Sequence, residues 1–236
     1  GLGGGIIVVP VLTFLGFPPT VAASNSLFAA LSNAIASTVS YSKQKRIEFS
    51  LGLKLGLLSV PGTVLGAVIS TDTAPEIFKI LFGFVLIASA AYIFLRRKIE
   101  SKEKTLSKQM MIFAVGASFF AGIISSFFGI GGGIIFVPLM VVGMGMAMKR
   151  AAPTSQLILL FASLSGVIVH SLLGHPDFLQ AGFLAIGSFI GGLVGARLSI
   201  DIKERYLQIL VSVVILIAAG KLFFDSMVDN SNFFGF

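Results

Sequence analysis

The chain contains no cysteine, which removes disulfide frameworks, thiolate metal sites and thiol catalysis together. Charge is scarce. Only 11% of residues are Asp, Glu, Lys or Arg, against roughly 25% in a soluble domain. Hydrophobic residues make up 56% and the mean hydropathy is +0.99. A globule of this composition could not cover itself with polar surface, so the sequence predicts an integral membrane protein. No signal peptide is visible. The net charge of +7 could point to nucleic acid, but its placement along the chain fits membrane topology better, and no nucleic-acid partner is expected. No pair of membrane acids and no cluster with metal-ligand spacing occurs, so neither a metal nor a cofactor is expected.

What is present is a duplication. Residues 1–10 read Gly-Leu-Gly-Gly-Gly-Ile-Ile-Val-Val-Pro, and residues 129–138 read Gly-Ile-Gly-Gly-Gly-Ile-Ile-Phe-Val-Pro. A repeat this far apart marks two copies of one structural unit. After one residue of slippage the copies stay in register. Ala22-Ala23 matches Ala151-Ala152, Asn25-Ser26 matches Thr154-Ser155, and Glu48-Phe49 matches Asp177-Phe178. Gly62 and Gly66-Ala67 match Gly191 and Gly195-Ala196, and Ser70 and Asp72 match Ser199 and Asp201.

Hydropathy divides the chain into a first repeat at 1–95, a basic linker at 96–108, a second repeat at 109–224 and a polar, Phe-rich tail at 225–236. The expected class is all-α: a polytopic bundle of transmembrane helices in two inverted-topology repeats, each with a short Gly-broken segment. Long apolar spans are expected at 24–42, 49–70, 77–95, 109–128, 154–173, 178–198 and 206–224. Two shorter apolar runs, 6–17 and 134–147, follow the glycine motifs. The segment at 109–128 precedes motif two and has no counterpart before Gly1, so a further N-terminal helix is expected upstream. Small residues four apart (Gly52/Gly56, Gly62/Gly66 and Gly187/Gly191/Gly195) suit close helix crossing.

The loops at 43–46, 96–108, 149–150 and 197–205 hold three, six, two and three of the 17 Lys and Arg, and the loops at 18–23, 71–76 and 174–177 hold none. If each glycine motif is the tip of a hairpin, the basic loops share one side, which the positive-inside rule makes cytoplasmic. Equivalent loops of the two copies then lie on opposite sides, as in many secondary transporters.

Three consecutive glycines destabilise a membrane helix by roughly 1 kcal/mol each relative to Ala, and the residue before proline resists the α conformation. Broken backbone is therefore expected over Gly3–Val9 and Gly131–Val137. At membrane depth such backbone must be buried in protein or line a watery cavity, and its free N–H groups suit an anion. Glycines that only allow helices to cross are the competing reading. The candidate substrate-binding residues are Gly3, Gly4, Gly5, Asn25, Ser26 and Asn33 in the first copy, and Gly131, Gly132, Gly133, Thr154, Ser155 and Gln156, with Ser163, in the second. Helix capping by Ser24 or Asn25 and by Thr154 is the structural alternative. Ser26, Asn33, Ser37 and Ser40 share one helical face. Glu48 and Asp177 read as N-caps, with a coupling-ion role as the alternative, and Asp72 and Asp201 read the same way. His170 reads as a packed or interfacial histidine without a partner histidine.

The Gly-x-Gly-Gly-Gly-x-x-x-x-Pro motif near the start of each half, the Ala-x-x-Ser or Thr-Ser after it, and the acid-Phe step before a glycine-rich span resemble the sulfite exporter TauE/SafE family of prokaryotic membrane permeases. The resemblance runs over essentially the whole chain. It implies a secondary transporter of a small sulfur oxyanion or organosulfonate, usually an exporter. The partners expected are a small anion and the lipid bilayer. Asn25-Ser26 departs from the commoner Thr-Ser pair, so the two half-sites differ. An intramembrane enzyme fits poorly, because Ser165 and His170 do not share a helical face. An assembly protein using its GxxxG faces would explain the packing glycines but not the paired breaks.

Overall fold

A computed structural model describes residues 4–95, 108–198 and 220. Gly3, the linker at 96–107, the last expected span, the tail and the matches at Ser199 and Asp201 lie outside the described residues. Among those described there are only helices. These are α1 (Gly5–Phe14), α2 (Pro19–Lys43), α3 (Phe49–Thr71), α4 (Pro75–Leu95), α5 (Lys108–Phe128), α6 (Gly133–Pro138), α7 (Met148–Leu172) and α8 (Phe178–Leu198). The helices α3, α7 and α8 are each long and apolar enough to cross a membrane.

Several boundaries differ from expectation for identifiable reasons. Pro19 occupies the first position of α2, where its fixed φ favours a helix start and its missing N–H costs nothing. Ser24 and Asn25 therefore lie inside α2 rather than capping it. Thr154 likewise lies inside α7, which begins at Met148 and runs through Pro153. Proline cannot donate to the carbonyl four residues back, and that carbonyl, Lys149 O, accepts from Arg46 Nε at 3.1 Å instead. The glycine breaks are also shorter than expected. Gly4 already has helical φ and ψ and α1 carries Pro10 in its interior, while the second break ends at Gly132. The Ile-Ile-x-Val runs bury side chains once helical, with Ile6, Val9, Ile134 and Val137 all in the core. After Pro138 the chain continues as one π-helical turn, Leu139–Gly143.

The heaviest packing is between helices that do not follow one another in sequence. The main partners of α2 are α8 and α7, and those of α3 are α5 and α7. The crossings use glycine. A side chain on Gly62 or Gly66 would strike the α5 backbone at Phe119 or Ile123, and one on Gly122 would strike Ser59 O. In α8 the close approach falls on Gly192, against Asn33 and Ala36, whereas Gly187, Gly191 and Gly195 meet no atom within 4 Å of such a side chain. Phe78 and Phe82 of α4 stack on Phe127 and Phe128 at centroid distances of 5.6 and 5.2 Å, which fixes the end of α5 just before motif two.

Hydrogen bonds define the two ends of the bundle. At one end Arg46 Nε donates to Lys149 O and Gln44 Nε2 donates to Ala196 O at 3.3 Å. Glu48 pairs with Arg150 at 2.6 Å there. At the other end Asp177 N donates to Asn25 Oδ1 at 3.0 Å, and His175 Nε2 lies 3.4 Å from Thr71 Oγ1. It follows that α2 runs parallel to α8, α3 runs parallel to α7, and α2 and α7 are antiparallel.

Candidate functional site

Motif two lies between α5, α7 and the first half of α2. Gly129, Gly131 and Gly132 have φ of +69°, +77° and +80°, a left-handed conformation open to glycine and costly for other residues. The space is equally restrictive. A side chain on Gly129 would strike the backbone of Ala23, one on Gly131 would meet Leu159 and Ala30, and one on Gly132 would meet Phe136 and Ser125. Motif one touches motif two directly, since a side chain on Gly5 would fall on the backbone of Gly129 and Ile130. Gly4 is more open, with Ser188 Oγ 3.9 Å from the place a side chain would occupy.

The amides of the break are only partly used. Ile130 N donates to Ser125 O, while Ile135 N and Phe136 N both donate to Gly132 O. The N–H groups of Gly131, Gly132 and Gly133 donate no described hydrogen bond. Beside them stand Ser125 and Ser126 at the end of α5. Both are fully buried, and neither hydroxyl has a hydrogen-bond partner. A buried polar group without a partner costs roughly 1–3 kcal/mol, so the arrangement is not explained by packing. Sequence reasoning missed this pair. Its signal was available: two polar residues in the last turn of an apolar span, directly before the glycines.

The expected serines behave differently. Ser26 Oγ donates to Gly129 O at 2.7 Å, and Ser155 Oγ donates to Ala152 O, in its own helix, at 2.8 Å. A hydroxyl has one proton to give, so in this conformation neither serine is a donor to an anion. Ser163 Oγ donates to Leu159 O at 2.6 Å in the same way. Asn33 and Gln156 do meet. Asn33 Nδ2 donates to Gln156 Oε1 at 3.2 Å, and Ser37 Oγ donates to Asn33 Oδ1 at 3.4 Å. This amide chain ties α7 to α2 two turns along from Ser26.

Asn25 and Thr154 lie toward opposite ends of the bundle and hold the helix starts of the other copy. Asn25 Oδ1 accepts from Asp177 N and its Nδ2 donates to Gln180 Oε1 at 3.3 Å. Thr154 Oγ1 accepts from Glu48 N at 3.0 Å. Asp177 does cap α8, accepting from Leu179 N at 3.1 Å and Gln180 N at 3.2 Å. Glu48 makes no side-chain cap and instead pairs with Arg150. His170 has a histidine partner after all: its Nδ1 lies 2.8 Å from Nδ1 of His175.

A family profile described as "Sulfite exporter TauE/SafE" matches residues 1–222. The chain is 28% identical to the probable membrane transporter protein YunE of Bacillus subtilis (strain 168), covering 96% of this chain and 92% of that one. It is 28% identical to a probable membrane transporter protein of Methanocaldococcus jannaschii, covering 91% and 85% of the two chains. Identity to the probable membrane transporter protein YfcA of Escherichia coli (strain K12) is 21%, over 95% of this chain and 83% of that one. No solved structure matches.

Proposed function

The chain belongs to the sulfite exporter TauE/SafE family and is a multi-pass membrane transporter, and we propose that its substrate is a small anion, a sulfur oxyanion such as sulfite or an organosulfonate, moved outward. The observation that carries this reading is the set of buried donors around motif two: the unused N–H groups of Gly131, Gly132 and Gly133 and the unpartnered hydroxyls of Ser125 and Ser126. Donors without acceptors suit an oxyanion. No Lys or Arg occurs between Lys108 and Lys149, so backbone dipoles and neutral hydroxyls supply the positive potential. That suits passage better than a fixed cation, which would hold the ion too tightly.

The glycines divide by role in this reading. Gly5 and Gly129 let the two motifs and α2 approach, and Gly131, Gly132 and Gly133 expose amides. The antiparallel α2 and α7, carried by matching parts of the duplication, support two inverted copies that rock against each other around motif two. Flux into proteoliposomes of labelled sulfite, sulfoacetate and taurine tests the proposal. Gly132→Val is expected to abolish flux while the protein still inserts and purifies. Absence of flux for every small anion by the unaltered protein would overturn it.

A further inference from the structure

The chain has two histidines in all 236 residues, and they meet each other. His170, in the last turn of α7, is fully buried. Its Nε2 lies 3.2 Å from the carbonyl oxygen of Ser126. A carbonyl only accepts, so His170 Nε2 carries a proton and donates it. In the neutral ring Nδ1 is then a bare acceptor. The atom facing it at 2.8 Å is Nδ1 of His175, which must therefore be the donor. That leaves His175 Nε2 unprotonated, with its lone pair turned to the Thr71 hydroxyl at 3.4 Å, at the exposed end of α3. The tautomers are fixed by the partners, and the pair has one vacant proton position, at its outer edge.

From this geometry we propose that His170 and His175 form a site for one coupling proton, taken up at the end of the bundle away from the basic loops and linked to anion binding at motif two. The proposal rests on the anion-transport reading above. In the first step His175 Nε2 forms a bond to a proton from water, and the ring becomes an imidazolium. In the second, the Nδ1–H bond of His175 breaks and an Nδ1–H bond forms on His170. The charge then sits on the buried ring, and His175 is neutral with its proton on Nε2. Nothing is oxidised or reduced. The charge cannot pass on to Ser126 O, so the pair stores a proton rather than conducting one.

Placement joins the two events. Ser126 is three residues before the break, and its hydroxyl is one of the unpartnered donors. Burial disfavours a positive charge on His170, the carbonyl ends of α5 and α7 offset part of that cost, and an anion at the adjacent motif offsets more, which is what links the two events. The other ionisable groups at this end, among the described residues, are Asp72 beyond α3, Asp177 before α8, and Glu76 and Lys79 on α4. Among the described residues none of these carboxylates pairs with either imidazole, and the described ion pair, Glu48 with Arg150, lies at the other end. The helices α1 and α2 bring no ionisable side chain near the pair. Burial pushes the His175 imidazole below its ordinary value of 6.5, so it is neutral at pH 7 and loads in acid.

With only two histidines, protein carrying 15N in its imidazoles gives two ring systems by NMR in lipid. The expected result is nitrogen–nitrogen coupling across the hydrogen bond, uptake of one proton felt by both rings, and an upward shift of that uptake when sulfite is added. Two independent titrations, or a midpoint indifferent to sulfite, overturn the proposal on the unaltered protein. In proteoliposomes, sulfite exchange by the unaltered protein should fall by up to about tenfold per pH unit above the midpoint, the limit for one linked proton, on top of the change that sulfite's own protonation gives, and His170→Asn and His175→Asn should keep only the latter. An unchanged pH response in both variants overturns the proton site and leaves the anion reading standing. No sulfite flux in the unaltered protein at any pH removes both.

Discussion

The glycines of this bundle are not equally needed, and the space around each missing side chain says which are. Gly116 and Gly66 make the contrast. Both are helical, but a methyl on Gly116 meets nothing within 4 Å, whereas one on Gly66 would drive into Ile123 O. Gly116→Ala should raise the thermal midpoint in detergent, because alanine gains up to about 1 kcal/mol over glycine in a helix. Gly66→Ala should lower it, because α3 must back away from α5 and lose contact along its length. Equal midpoints for the two variants would mean that α3 and α5 do not cross at Gly66. The break itself combines both demands at Gly132, where φ is +80° and Phe136 and Ser125 crowd the same side.

Among the elements, the informative bonds are the two that run between copies. Asn25 holds the start of α8 by accepting from Asp177 N, and Thr154 holds the start of α3 by accepting from Glu48 N. These are matching residues in exchanged roles, each buried. Thr154→Val should cost ~1–2 kcal/mol by leaving the part-buried Glu48 amide unpaired. Glu48→Gln should cost under about 1 kcal/mol, because it removes only an ion pair whose side chains are 56% and 42% exposed. Chemical denaturation of both variants checks the order, and a larger loss for Glu48→Gln would contradict it.

The same elements mark what the sequence made legible. Helix positions followed from hydropathy, and α3 and α8 begin where the acid-Phe step placed them. The starts of α2 and α7 did not, because the polar residues that suggested caps serve another helix, 152 and 106 residues away. The histidine pair was missed for a related reason. A spacing of five puts two residues on different faces of a continuous helix, but α7 stops at Leu172, and Gly174, with φ +74°, turns the chain back. Ser26 was expected to donate to a substrate, whereas here its partner is the motif's own carbonyl.

For the whole molecule, the two ends of the bundle can be tested without a structure. The chain has no native cysteine, so introduced pairs report cleanly. Arg46→Cys with Lys149→Cys should cross-link with a short bifunctional thiol reagent, since Arg46 Nε reaches Lys149 O. Arg46→Cys with Asp177→Cys should not, because those residues lie at opposite ends. Cross-linking of the second pair in preference to the first would reverse the antiparallel arrangement of α2 and α7.

The exchange of partners also bears on how the protein is made. Ser37 of α2 meets Gly192 of α8 across 155 residues of sequence. Ribosomes add about 5–20 residues per second, so α2 waits in the bilayer for roughly 10–30 s before its partner exists. Through that interval its small, polar stripe must be tolerated by lipid or shielded by the insertion machinery. Half of the duplication cannot close on its own, because each copy supplies the surface that the other lacks. One copy expressed alone could complete this packing only against a second copy running antiparallel to it.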